Sequence, residues 1–319
     1  MESFENIAAY WRHSTYSLNW NCPFVLPHWL ALWWDIFGSG SELFLCAVRY
    51  EDDVIGIAPL LLQSETASFI GDIDVCDYQD FIVAPERSRE FFKVLLDDLN
   101  QKGIKQLDLK AVRADSTTML ELLDVAEQRG CEISRNKLDV SLELDLPATW
   151  DDYLLMLNGK QRHEVRRKLR RSQDAGNVTY RVIDNVDDLK SEMDIFIKLF
   201  KSNRKDKVIF MTEKMASFFR LLTKSMAAEN MLKLYFLDVN ATPVAAAICF
   251  THNSRAYLYN SGFDARFSTL SVGLLCKVFS IRDSIQNGDE KYDFLKGAET
   301  YKYRLGGQEV PLYECRVKL

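Results

Sequence analysis

Glu299 and Lys302 stand three residues apart in the run Gly297-Ala298-Glu299-Thr300-Tyr301-Lys302. If that run is helical they share a face. A carboxylate beside an ammonium is then either a general base with a cation that steadies developing negative charge, or a solvated ion pair. Upstream, Ser271-Val272-Gly273 opens a segment in which Leu270, Leu274, Val278, Ile281 and Ile285 recur at helical spacing. A helix start presents unpaired amides at the positive end of its dipole, a natural phosphate seat. The Ser271 hydroxyl is expected to cap a first-turn amide, and Gly273 to remove bulk where a ligand approaches. A capped helix without a ligand is the competing reading. No G-x-x-x-x-G-K-[ST] loop is present.

Further residues suit an acceptor. Asp77 and Asp80 flank Tyr78 and Gln79, either to receive a protonated amine in a cleft or to shape a turn. Tyr259 and Tyr301 are candidates to donate hydrogen bonds there, or to pack as wall. Lys160–Arg171 holds seven Lys and Arg residues with Glu164 as its one acid. On a helix Arg162, Arg166 and Arg170 form a stripe beside Val165 and Leu169. The stripe is a solvated face or a contact for an anionic acceptor, a phosphorylated donor tail or RNA. The seven cysteines are scattered without C-x-x-C, as in a reduced core. The four histidines show no ligand spacing, so no metal is expected.

These residues need a frame. The chain has 319 residues, 47% hydrophobic, with a formal charge of −6, which suits two domains. The charge gives no global electrostatic reason to coat DNA or an anionic membrane. No basic-then-apolar leader and no long apolar run is present, so a cytoplasmic protein without a membrane span is expected. The clearest pattern is strand Leu232–Asp238, a turn at Asn240–Pro243, strand Val244–Phe250, strand Ala256–Ser261, helix Ser271–Gln286 and strand Lys291–Leu295. A weak repeat links LFLCAVRYEDDVIGIAPL in the first half to LKLYFLDVNATPVAAAIC in the second. The corresponding first-half helix starts at Pro85-Glu86-Arg87, with a carboxylate and no glycine, a poor anion seat. The expected division is 1–146 and 147–319, joined near Leu146-Pro147.

The stretch Tyr259–Gly273, followed by Tyr292-Asp293-Phe294 and Gly297–Lys302, resembles the CelD-type and FemAB-like acyltransferases of the GNAT superfamily. Pro23-Phe24 with Trp29, Ile55–Leu60 and Asp77–Phe81 match the family's N-terminal motifs in order. Tyr303-Arg304-Leu305 depart from the aromatic residue that usually follows the YK pair. The resemblance implies an α/β fold with mixed sheets, in two tandem GNAT-like domains. The first is on the acceptor side with a degenerate donor site; the second holds the acyl-CoA donor. It implies a pantetheine arm between splayed strands Ala256–Ser261 and Lys291–Leu295. The amides of Asn260, Ser261 and Gly262 would hold the acyl oxygen, and those of Ser271, Val272 and Gly273 the diphosphate. Glu299, Lys302 and Tyr301 then become catalytic candidates, with Asp77, Tyr78, Asp80, Tyr259, Arg162 and Arg166 on the substrate side.

The leading expectation is therefore N-acyl transfer, from acetyl-CoA first, to the amine of a small molecule or cell-envelope precursor. Exopolysaccharide or cellulose production is the pathway the resemblance suggests. A FemAB-like transfer from aminoacyl-tRNA to a cell-wall peptide is the alternative enzyme, and a non-catalytic binding scaffold the alternative class.

Overall fold

A computed structural model describes residues 1–319 apart from 14–16, 73, 175, 187–188 and 203. Two compact units emerge, Met1–Ser141 with Val310–Leu319, and Leu142–Glu309. This differs from a cut at 146 in two respects: the boundary falls after Ser141, and the last ten residues group with the first unit. Their side chains explain it, since Cys315 and Val317 are buried in that unit's core.

The first unit opens with helices α1 (Phe4–Arg12) and α2 (Pro27–Phe37), then strands β1 (Glu42–Tyr50), β2 (Asp53–Gln63), β3 (Thr66–Phe69) and β4 (Ile82–Val83). Helix α3 (Ser88–Gln101), strand β5 (Gln106–Arg113), helix α4 (Leu123–Gln128) and strand β6 (Glu132–Asp145) follow, the last four residues of β6 counting with the second unit. The β1–β2 turn is two residues long, with Glu51 in the left-handed region, as tight hairpins require. β2 pairs antiparallel with β3, and β3 pairs parallel with β5. Helix α3 lies on β2 at Gly56, where a Cβ would fall 2.3 Å from the Phe91 ring. Phe81, Phe91 and Phe92 meet edge to face there, each such pair adding about 0.5–1.5 kcal/mol beyond area burial.

The second unit contains α5 (Trp150–Met156), α6 (Gly159–Asp174), β7 (Val178–Ile183), α7 (Leu189–Lys201), α8 (Lys205–Phe210) and α9 (Glu213–Ala228). Strands β8 (Leu232–Val239), β9 (Thr242–His252) and β10 (Arg255–Phe263) form an antiparallel meander beside β7. Its two-residue turns hold Asn240, Ala241, Asn253 and Ser254 at positive φ. Helix α10 (Val272–Gln286) leads to β11 (Lys291–Lys296), which pairs parallel with β10. Helix α11 (Thr300–Arg304) and strand β12 (Gln308–Lys318) end the chain.

The two units repeat one scheme. β1-β2-β3, helix α3 and β5 correspond to β8-β9-β10, helix α10 and β11, each an antiparallel meander followed by a helix and a parallel strand. The weak repeat in the sequence lies on the β1–β2 and β8–β9 hairpins. The fold is thus the mixed α/β, tandem GNAT-like arrangement expected. Among the described residues no helix is long and apolar enough to cross a membrane.

Candidate active site

β10 and β11 are paired only at Arg255, Ala256 and Tyr257 with Lys291, Tyr292 and Asp293. Side chains enforce the parting beyond. Asp293, fully buried, accepts the Leu295 N–H at 2.7 Å, so the strand turns its amide inward. Leu295 itself takes φ 62°, which bends the strand end. Arg255 holds the Asp293 carboxylate at 3.5 Å and Glu143 at 2.9 Å. On β10 the extra residue Tyr259 makes a bulge against β9, a device that re-aims backbone groups. Asn260, Ser261 and Gly262 then pair with Ile248, Ala247 and Ala246 on the β9 side, beyond the last residue of β10 paired with β11. Gly262 has its own reason to be glycine: a Cβ would stand 2.4 Å from the Phe200 nitrogen of α7.

The start of α10 corrects two expectations. Ser271 adopts the left-handed conformation and makes no side-chain cap. Its hydroxyl instead accepts from Lys168 Nζ at 2.6 Å, and its amide is spent on the Ser268 carbonyl at 2.9 Å. Of the three amides expected to seat a diphosphate, those of Val272 and Gly273 remain. Gly273 is explained by packing, since a Cβ would lie 2.7 Å from the Phe263 ring. Lys168, which also pairs with Glu164 at 3.1 Å, is the basic side chain at this corner. At about 100° per residue Arg162 and Arg166 lie about 120° and 160° around α6 from Lys168, off the face that meets Ser271.

Lys302 is a further correction. It is 2% exposed. Its ammonium donates to the carbonyls of Leu295, Lys296 and Gly297 at 2.9, 2.6 and 3.0 Å, and pairs with Glu299 at 2.9 Å. Three N–H groups facing four acceptors leave none for a tetrahedral centre. Lys302 clamps the β11–α11 turn and holds one Glu299 oxygen. Glu299 is half exposed at the start of α11. Tyr301 packs against Phe294, and its ring carries the Lys277 ammonium 4.8 Å from the centroid.

Two lysines here escaped the sequence reading. Lys207 of α8 donates to the Ser261 carbonyl at 2.5 Å and lies 4.4 Å from the centre of the Phe200 ring. Burial, then the nearby Lys277 and Arg204 charges, lower it to about 8. Lys277 of α10 is 7% exposed and donates to the Gly273 carbonyl at 3.0 Å. Burial lowers it as well. Lys277 sits among apolar helix positions, and Lys207 in a short charged helix, so neither has a spacing that singles it out.

Asp80 and Tyr78 are core residues of the first unit. Asp80 accepts from the amides and hydroxyls of both Thr117 and Thr118, at 2.7–3.1 Å, and from Asn21 at 3.4 Å. Its oxygens are filled, so it caps a helix start and does not await a protonated amine. Burial still pushes its pKa up, against those hydrogen bonds. Tyr78 is buried, edge-on to Phe24 and under Arg113; Asp77 is half-buried. Tyr259 stacks on Phe219 and lies against Phe250, as wall.

The first unit's counterpart of the strand parting is closed. β3 and β5 pair only at Thr66–Ala67 with Gln106–Leu107. Beyond, the chain's own Gln79 donates its amide to Ala111 O at 3.3 Å and its side chain to Ile70 O at 2.6 Å. A cavity of about 290 Å³ lined by Trp33, Asp72, Gln79, Asp108 and Lys110 remains at that plug.

Residues 159–303 match the family model described as an acetyltransferase (GNAT) domain. No curated protein matches the chain by sequence. Among solved structures, FemX aligns over 99% of this chain and 96% of its own, with TM-score 0.66 and 13% identity. A conserved protein of unknown function from Bacteroides thetaiotaomicron aligns over 100% and 98%, with TM-score 0.65 and 12% identity. The C-terminal domain of a protein described as a lysylphosphatidylglycerol synthetase from Agrobacterium fabrum aligns over 87% and 84%, with TM-score 0.55 and 13% identity. At such identities the likeness is one of fold, and that fold is GNAT-like and of the FemAB type.

Proposed function

We propose that this chain, GNAT-like in fold, is an N-acyltransferase of the cytoplasm. In this reading it moves an acyl group, acetyl first, from coenzyme A to an amine on a small molecule or cell-envelope precursor. The observation that carries the reading is the parting of β10 from β11 after three paired residues, beside the start of a 15-residue helix. An extended thioester arm lies along such an edge as an added strand does. The Val272 and Gly273 amides with Lys168 then face the diphosphate, and amides of Asn260–Gly262 face the acyl oxygen as it becomes an oxyanion.

Glu299 takes the proton as the amine nitrogen bonds to the acyl carbon. The C–S bond breaks and the thiolate leaves. Lys302 positions Glu299 and does not touch the reacting atoms. Unit one, whose own gap is filled by Gln79, is proposed to serve the acceptor. Glu299→Gln is expected to lower kcat by about 10²–10⁴-fold with little change in donor affinity. Unchanged kcat would remove Glu299 from the site.

A second reading has its own support. Lys207 already caps the Ser261 carbonyl, and Lys302 caps those of Leu295 to Gly297, so carbonyls that a pantetheine arm would use are taken. The fold likeness to FemX and to the lysylphosphatidylglycerol synthetase domain also extends over most of the chain. Both fit an aminoacyl ester on tRNA as donor. Titration with acetyl-CoA and with charged tRNA separates the readings: saturable binding of acetyl-CoA with thioester cleavage supports the first, and saturable binding of charged tRNA alone replaces it with the second. No binding and no cleavage with pooled amines would leave a scaffold.

A further inference from the structure

Lys207 and Lys277 present an electrostatic imbalance. An ammonium has three N–H donors. Lys207 spends one on Ser261 O, and Lys277 one on Gly273 O. Among the described residues no carboxylate lies within ion-pair distance of either. The acids whose charge reaches them are engaged: Asp206 with Arg204, and Glu299 with Lys302. The rings of Phe200 and Tyr301 offset a little of the cost, but a charge without a counter-ion is expensive where it is buried, as at Lys277, and less so at half-buried Lys207.

The two ammoniums share one neighbourhood. Ser261 and Phe263 are two residues apart on β10, and the Phe263 ring touches the Gly273 position, one helical turn before Lys277. The charge of Lys277 reaches Lys207, and that of Glu299 reaches both.

We propose that Lys207 and Lys277 form the receptor for an anionic oxygen group, a carboxylate or a phosphate, on a substrate that enters where β10 and β11 part. The proposal deepens the acyl-transfer reading, and rests on it only for what the anion is attached to. A charged group on the acyl chain or on the acceptor would complete the missing counter-ion with up to four unspent N–H donors.

The test is thermal melting of the whole chain at constant ionic strength, in sodium chloride alone, with sodium succinate, or with inorganic phosphate. Wild type is compared with Lys277→Met and Lys207→Gln. The expected result is a saturable rise in wild-type Tm, on the order of 5 °C at saturation, and at least tenfold weaker apparent affinity in both variants. Response to succinate alone assigns a carboxylate, and response to phosphate alone assigns a phosphate. Unliganded Lys277→Met should melt no lower than wild type, because a hydrocarbon replaces an unpaired buried charge.

No saturable response in wild type, or the same response in both variants, overturns the proposal. Turnover of acetyl-CoA with pooled amines, measured on the same preparations, keeps the two ideas apart. Turnover without an anion response removes the anion site alone. An anion response without turnover removes the acyl-CoA reading alone.

Discussion

Lys302 shows how residue type and spacing run ahead of geometry. Its place three residues after Glu299 is visible in the sequence, and the pair does form at 2.9 Å. What spacing cannot show is that three carbonyls of the preceding turn take up the same ammonium. Lys302→Met is therefore expected to cost about 3–5 kcal/mol of stability, the usual loss when a buried, multiply bonded charge goes and its partners stay behind. Urea denaturation measures it, and a catalytic role alone would leave stability unchanged. Gly262 and Gly273 look alike in sequence and differ in what surrounds them. Gly262→Ala meets the backbone of Phe200, and a loss of about 3 kcal/mol is expected. Gly273→Ala meets a ring that can turn, so its effect should stay within about 1 kcal/mol. Lys207 gives a pH signature. The fold holds it at about 8 against an ordinary 10.5. Between those values the unfolded chain binds more protons at this group, so its contribution to stability rises as pH climbs through that window. The buried cysteines, whose thiols burial pushes up, pull the other way in any variant, so the signature is a difference: denaturation at about pH 8 and pH 10 should show wild type gaining stability relative to Lys207→Met as pH rises.

Among the elements, the meander β8-β9-β10 and helix α10 are legible from alternation, turn residues and a four-four-three-four apolar stripe. The parting of β10 from β11 is expected from the family resemblance alone and not from any pattern of residues, because it depends on Asp293 taking the amide of Leu295 and on Leu295 adopting a positive φ. Neither leaves a periodic trace. Asp293→Ala is expected to lose about 2–4 kcal/mol, since it strands a buried amide and half of the Arg255 network. Hydrogen exchange at Leu295 should accelerate in that variant, and unchanged exchange would refute the role given to Asp293. The start of α10 departs from the sequence expectation for a related reason: Ser271 has a capping residue's chemistry, but its backbone is left-handed and its hydroxyl accepts from Lys168.

At the scale of the whole chain, the duplication is visible in two hairpins of similar pattern, and the structure repeats the full meander-helix-strand scheme. The asymmetry between the copies is the functional point. Pro85-Glu86-Arg87 already marks the first copy as a poor anion seat. The plug formed by Gln79 could not be read, because a lone glutamine in a loop carries no sign of which strands it enters. The last ten residues group with the first unit through Cys315 and Val317, a long-range pairing that only the folded register reveals. The acyl donor is proposed to lie in the second unit, along the edge of β10. Backbone hydrogen exchange with and without saturating acetyl-CoA tests it most directly. Slowing is expected at residues 258–263 and 272–275 with residues 66–72 unchanged; slowing confined to residues 66–72 and 106–111 of the first unit would place the donor there instead.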